Sequence, residues 1–303
     1  MAEQKNPQTP ELKLTHYGSA AWKITDGQTT VLVDPYFSRI RTVKVWGTKF
    51  PPQNDDPRQV HDLDDVLEPN IELIDQHVDT ADFICISHSH FNHCMDMPYI
   101  ARKTGATVIG TESTINIARA NRVPRHQLRG VHGGEDYQFE NISIKAIPSL
   151  HSALITPSPY TTWDNCHYFE TETVPKDIQA PLRLRDYVEG GTLGYLIRFG
   201  AKKVLIFCSM NYIEKEVENL QPDIALIPSS PWRNQVYKYT ERLLQALDYP
   251  KTIIATHWDN QSVPYGADQS PQWEQAEIFA KEVQALSPES RIIIPQHFET
   301  IEA

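Results

Sequence analysis

The chain has 303 residues, of which 40% are hydrophobic and 22% charged, an ordinary balance for a protein with a sizeable core. Its 28 basic and 39 acidic residues give a formal net charge of −11, which argues against nucleic acid or an anionic membrane as the main partner. No uninterrupted apolar run reaches the roughly 18 residues that a spanning helix needs, so no transmembrane segment is expected.

Residues 1–11 form a polar leader, and the chain beyond it predicts an antiparallel meander. Strands are indicated at 12–15, 21–24 and 30–33. The Asp26-Gly27 pair between the last two is typical of a β-hairpin turn. The first part of the sequence therefore predicts a sheet that begins with hairpins.

The rest of the chain alternates predicted strands with predicted helices. Further strands are indicated at 83–87, 106–110, 142–147, 193–199, 203–208, 224–227, 252–256 and 292–294. Helices are indicated at 95–103, 113–120 and 237–247, with a last one from Ser270, its expected N-cap, onward. Polar stretches at 38–70 and 152–190 are too long for ordinary connections. No linker or repeat is visible, so we expect one domain over 12–303 with two insertions.

The most informative segment is His88-Ser89-His90-Phe91-Asn92-His93, which follows a predicted buried strand. Two further histidines, His151 and His257, also come just after predicted strands. A single histidine in such a place is more often an ordinary polar residue. A loop that leaves a strand end can, however, bring several imidazoles to one point, and neutral imidazoles bind zinc and other borderline metals. The clustering therefore predicts a metal site.

The histidine pattern resembles that of the metallo-β-lactamase superfamily, which carries HxHxDH after a strand and two further histidines at a distance. His88, His90, His93, His151 and His257 match that order and strand context. The opening segment, with Tyr17-Gly18-Ser19-Ala20-Ala21 and Val33-Asp34-Pro35, is also similar to the family's first hairpin. Within the superfamily, the pattern is most similar to the branch of L-ascorbate-6-phosphate lactonase and N-acyl-phosphatidylethanolamine phospholipase D. The resemblance implies an α/β fold, a four-layer αββα sandwich with metals at one edge.

The resemblance also implies two metal sites of unequal strength. The first would be His88, His90 and His151, with water as the fourth ligand. The second would be Asn92, His93 and His257, and would be weaker. Zinc is the metal that we expect, with iron also suited to imidazoles and manganese suggested by the resemblance alone.

Two departures from the family pattern concern carboxylates. The family's aspartate in HxHxDH, a metal ligand and base, is Asn92 here, and an amide has neither the charge nor the basicity. Where the family has Gly-Asp-Thr after a strand, this chain has Ser209-Met210-Asn211. Glu214 and Asp259 are the nearest acids that could substitute. Asn92 is either a native feature of an altered site or an engineered substitution, and the intact surrounding motif favours the second.

The predicted activity is metal-dependent hydrolysis. A metal-bound hydroxide would attack an ester, lactone, amide or phosphodiester, with the reaction impaired by Asn92. One alternative is an iron-dependent oxygenase or other redox enzyme on the same fold. Another is a degenerate binding protein without turnover, an alternative that the two missing carboxylates leave open.

The aromatic residues of the second insertion suggest a small-molecule substrate that is partly apolar. The candidates for pocket residues are Tyr160, Trp163, His167 and Tyr168, although a satellite hydrophobic cluster explains the aromatic residues equally well. The four cysteines are scattered and no signal sequence is present, which favours a cytoplasmic protein. Homo-oligomerisation stays open.

Overall fold

The computed structural model describes residues 11–42, 56–153 and 173–303, and its framework is two seven-stranded sheets. The strands are β1 Lys13–Gly18, β2 Ala21–Thr25, β3 Thr30–Val33, β4 Phe83–Cys85, β5 Thr107–Gly110, β6 Leu128–Gly130, β7 Asp136–Gln138, β8 Ile142–Pro148, β9 Leu193–Phe199, β10 Lys202–Ile206, β11 Ile224–Pro228, β12 Thr252–Thr256, β13 Arg291–Ile293 and β14 Thr300–Glu302. The first sheet has the order β14-β1-β2-β3-β4-β5-β6 and the second β13-β12-β11-β10-β9-β8-β7.

Each sheet changes from antiparallel to parallel pairing partway across. In the first, β14, β1, β2 and β3 pair antiparallel and β3 to β6 pair parallel. In the second, β7 to β10 pair antiparallel and β10 to β13 pair parallel. Parallel neighbours need helical crossovers, which cover the outer faces of the sheets.

The helices form an outer layer on each side. They are α1 Ile71–His77, α2 Phe91–Cys94, α3 Met97–Thr104, α4 Glu112–Ala120, α5 Glu214–Val217, α6 Tyr239–Ala246 and α7 Ser270–Leu286. None of the helices within the described ranges is both long enough and apolar enough to cross a membrane.

Three apolar cores separate the four layers, and the two-residue period of the strands sorts side chains between them. Val31 and Val33 of β3 lie in the core between the sheets, whereas Leu32 packs toward the helices of the first sheet. On the far side, Leu243 of α6 and Phe279 of α7 pack on the second sheet. The predicted αββα sandwich is confirmed.

Several local predictions differ from the structure. The helix expected at 95–103 is α3, which begins at Met97, and a separate helical turn that the sequence did not predict, α2, precedes it. Ser270 was expected to be the N-cap of the last helix, but that prediction is wrong, since Ser270 is the first helical residue and Gln269 precedes it. The backbone N–H of Ser270 donates to the Asp268 carboxylate at 2.9 Å, which satisfies one of the free donors of the first turn. The edge strands β6, β7 and β14 were not predicted because they are short and mostly polar.

The described parts of the two insertions pair with each other. The backbone N–H of Leu67 donates to Leu182 O at 3.0 Å, and that of Leu184 donates to Asp65 O at 2.9 Å. Leu67, Leu182 and Leu184 are buried in the core on the helical side of the first sheet. These parts of the insertions are therefore packed structure and not loose loops.

Candidate metal centre

The histidines lie just after the carboxyl ends of strands from both sheets. The loop after β4 carries His88 and His90, while His151 follows β8 in the other sheet. One ring nitrogen from each of these three histidines can be chosen so that all three atoms lie within 4.8 Å of one another. His88 and His90 are each only 1% exposed. The fold thus brings together the three residues that the sequence predicted as the first metal site.

The remaining two histidines extend the same group. The ring centroids of His88 and His93 are 3.9 Å apart, and those of His93 and His257 are 5.4 Å apart. His257 follows β12, and its backbone N–H donates to Ser19 O at 2.9 Å. It adopts a left-handed φ of 50°, which is uncommon for a residue other than glycine. All five predicted histidines therefore form one cluster.

A buried carboxylate, Asp34 at the end of β3, holds two of these rings. His93 Nδ1 lies 2.6 Å from Asp34 Oδ2, and the Ser87 hydroxyl donates to the same oxygen at 2.5 Å. Because the Ser87 proton is committed to Asp34, its oxygen accepts from His88 Nδ1, 2.9 Å away. Nδ1 is thus the protonated nitrogen in both rings, and each Nε2 keeps a lone pair for a metal.

Burial keeps four of the imidazoles, those of His88, His90, His151 and His257, neutral. It lowers the pKa of His151 to about 3 and that of His257 to about 4, and the neighbouring rings add to the effect. The pKa values of His88 and His90 are lowered well below the ordinary value for the same reasons. Within the described part of the chain, the buried His88 Nε2 has no hydrogen-bond partner. Neutral rings with one such orphaned nitrogen fit a cation of the zinc type.

Asn92 lies in α2 and is 1% exposed. Its Nδ2 donates to Gln261 Oε1 at 3.1 Å, and the Ser19 hydroxyl donates to the same oxygen at 2.8 Å. Asn92 Oδ1 is buried and has no hydrogen-bond partner among the described residues. The amide nitrogen is thus paired and the carbonyl oxygen is not.

Residues 209–211, where the family has its bridging aspartate, hydrogen-bond to the backbone at His151 and Ser152. Ser209 Oγ accepts from the backbone N–H of Ser152 at 2.8 Å. Asn211 Nδ2 donates to the carbonyl oxygen of His151 at 3.1 Å. These polar side chains position the backbone that carries a histidine, and they offer no carboxylate.

Neither acid considered as a substitute is available. Asp259 is buried, and its two oxygens accept from Ser19 N at 2.7 Å, Arg39 Nη1 at 2.7 Å and His297 Nε2 at 2.9 Å. Although burial acts to raise it, the pKa of Asp259 is held well below its ordinary value by Arg39 and His297. Glu214 instead forms a part-exposed ion pair with Arg242. Both acids are therefore engaged in ion pairs of their own.

Two residues beside the histidines, Asp34 and Glu189, were not among the site residues predicted from the sequence. Other predicted residues lie outside the part of the chain that the structure describes. Asp34 entered the sequence reasoning only as part of a hairpin ending, although its place at a strand end follows the same rule as the histidines. Glu189 is 3% exposed, and its backbone oxygen accepts from the backbone N–H of Ser89. Ser89 is the residue between His88 and His90. Nothing in the local sequence indicates that contact. The proposed pocket residues Tyr160, Trp163, His167 and Tyr168 lie outside the described ranges.

The chain is similar to known proteins over nearly its whole length. A family model described as "Beta-lactamase superfamily domain" matches residues 13–173, which is more than half of the chain. A protein of Staphylococcus aureus named a metal-dependent hydrolase is 23% identical over 281 residues, which cover 91% of this chain and 97% of that protein.

Solved structures with the same fold differ in their chemistry. Igni18, a metallo hydrolase of Ignicoccus hospitalis, is 16% identical with a TM-score of 0.55, covering 97% of this chain and 98% of that one. CmlA, a diiron β-hydroxylase of Streptomyces venezuelae, is 15% identical with a TM-score of 0.58, covering 98% of this chain but 55% of that one. At these identities the likeness shows the shared fold alone. Together with the family match, the fold shows that the chain belongs to the metallo-β-lactamase superfamily.

Proposed function

We propose that the protein is a metal-dependent hydrolase whose principal metal ligands are His88, His90 and His151. The observation that carries this proposal is the convergence of their ring nitrogens within 4.8 Å. Three neutral imidazoles are a ligand set found in catalytic zinc sites, which keep a fourth position open for water or substrate. His93, His257 and Asn92 form a second, weaker site beside the first.

A bound zinc ion would lower the pKa of water to about 7 and stabilise the negative charge that develops on a carbonyl or phosphoryl oxygen. Asp34 holds His93 directly and His88 through Ser87, so that both rings present Nε2. This hydrogen-bonding reduces the reorganisation that metal binding would otherwise require.

The substrate class follows from the charge of the donor set. The proposed ligands are five imidazoles and one amide, none of which carries a negative charge, and Asp34 is the carboxylate that contacts one of these rings in the described part of the chain. Neutral donors leave most of the positive charge of a bound cation uncompensated, which favours a substrate with an anionic group. Among esters, lactones, amides and phosphodiesters, we therefore favour a phosphodiester or a phosphorylated lactone, as in the lactonase and phospholipase D branch.

Iron-dependent oxidation is the second candidate, because the diiron β-hydroxylase CmlA has the same fold. Metal analysis together with oxygen consumption separates the two. Hydrolysis predicts zinc and no uptake of oxygen during turnover, whereas oxidation predicts iron and stoichiometric uptake.

The test of hydrolysis compares the wild type with Asn92→Asp on a panel of phosphodiesters, lactones and esters, with metal content measured in parallel. The carboxylate adds a charged ligand and a proton acceptor, and general-base assistance contributes about 10²–10⁴-fold. We expect turnover to rise within that range, most for the anionic substrates. If Asn92→Asp gains metal but no hydrolytic activity on any class, the proposed reaction is wrong. If the wild type binds no metal at all, the whole assignment is wrong.

A further inference from the structure

The side chain of Gln261 hydrogen-bonds to the Asn92 amide, although 169 residues separate the two along the chain. Gln261 lies four residues after His257, in the loop that follows β12. Its Oε1 accepts from Asn92 Nδ2 at 3.1 Å and from Ser19 Oγ at 2.8 Å. Gln261 Oε1 accepts both hydrogen bonds in this arrangement, so the Gln261 side chain presents its oxygen, and not its NH₂ group, to Asn92.

We propose that Gln261 is a positioning residue that turns the Asn92 amide so that its carbonyl oxygen, and not its NH₂ group, is offered to the second metal. This inference rests on the proposed function, because it assumes that a cation binds beside the histidines. An amide has two chemically different ends, and only the oxygen can ligate a cation. Gln261 Oε1 accepts from Asn92 Nδ2. Asn92 Oδ1 is therefore the buried amide atom that has no partner among the described residues.

The same hydrogen bond accounts for asparagine at position 92. A carboxylate there would place an oxygen against Gln261 Oε1, with no proton between two acceptors. To restore a hydrogen bond, the Gln261 amide would have to rotate, and Ser19 Oγ would then lose the acceptor it has now. The present surroundings of Asn92 are thus complementary to an amide, and in Asn92→Asp the Gln261 side chain has to rotate so that its NH₂ group donates to the new carboxylate.

The test is a zinc titration of metal-free protein against a chromophoric chelator. The wild type should bind one zinc tightly and a second more weakly, and Asn92→Ala should lose the second step. Gln261→Met keeps the length of the side chain without an acceptor, so it should weaken the second step about 10–100-fold, as is usual when a partner of a metal ligand is removed. Gln261→Glu keeps an acceptor oxygen and should bind the second zinc at least as tightly as the wild type.

The matched control is Gln269→Met. Gln269 lies close to the same loop, and its side-chain amide hydrogen-bonds to the backbone of Asn260, with Oε1 accepting from Asn260 N at 2.8 Å. This variant should leave both zinc steps unchanged, and melting temperatures confirm that all variants fold. Equal weakening in both methionine variants, or none in Gln261→Met, would overturn the positioning role. A wild type that binds only one zinc ion would also overturn the positioning role, while leaving the first site in place. A wild type without the tight first step would instead refute the proposed function.

Discussion

Replacing Asp34 by asparagine tests whether one buried carboxylate organises the histidine cluster. Asp34 is fully buried and accepts from the backbone N–H of Ser87 at 2.7 Å, from the Ser87 hydroxyl and from His93 Nδ1. Asparagine offers a single accepting oxygen in place of two. Whichever way the amide lies, its NH₂ group faces at least one of these donors.

The magnitude follows from the hydrogen bonds that the substitution removes. A hydrogen bond to a charged group contributes about 1.5–3 kcal/mol, and a buried donor left without its acceptor costs about 1–3 kcal/mol. We expect Asp34→Asn to lower the free energy of unfolding of the metal-free protein by about 3 kcal/mol. If the new NH₂ group donates to Ser87 Oγ, that hydroxyl can donate to His88 Nδ1 and move the ring proton to Nε2. Zinc affinity should then fall about 10–100-fold.

The assay combines denaturant unfolding of the metal-free protein with zinc titration. The control is Asp82→Asn, since Asp82 is exposed and its Oδ2 accepts from Thr30 N at 2.8 Å, away from the histidines. We expect the control to change the free energy of unfolding by no more than about 1 kcal/mol and to leave zinc affinity unchanged. If Asp34→Asn behaves like this control in both measurements, Asp34 does not organise the cluster and the reasoning is refuted.

Three further predictions concern particular side chains. His88→Ala and His151→Ala should each lower zinc affinity at least about 100-fold, which elemental analysis after dialysis would show, and full metal content in the double variant would contradict the ligand assignment. Burial lowers the pKa of His16 to about 4 from 6.5, so below pH 6.5 the unfolded chain binds a proton that the folded chain does not. The free energy of unfolding should therefore fall by up to about 3 kcal/mol between pH 6.5 and 4. His16→Gln should reduce the slope of unfolding free energy against pH by the equivalent of one proton, and an unchanged slope would contradict the prediction. Thr256→Val removes the acceptor of Trp22 Nε1, 2.8 Å away in the core between the sheets, and should cost about 1–3 kcal/mol in urea unfolding without altering zinc affinity.

The sequence alone predicted the histidines that the structure brings into one cluster, because their position after strands is a local property. Each follows an apolar strand that hydropathy reveals, as His257 follows β12, and strand ends are where side chains from different strands can meet. Hydropathy also predicted a domain of sheets covered by helices, and the family resemblance implied its αββα order. Strand and helix boundaries were less accurate, since the short helix α2 was not predicted and α3 begins at Met97.

Only the tertiary structure decided which polar partners the histidines and Asn92 have. Asp34 and His93 lie 59 residues apart, and Asn92 and Gln261 lie 169 apart, so their hydrogen bonds depend on how the strands and loops pack. Asp259 is a second example of a partner that the sequence could not predict. By sequence it was a candidate to replace the missing carboxylate, but the fold places Arg39 and His297 against it. Whether a hydrogen bond forms depends on a few tenths of an ångström. The spacing of residues along the sequence does not determine positions that finely, whereas the packing of the folded chain does.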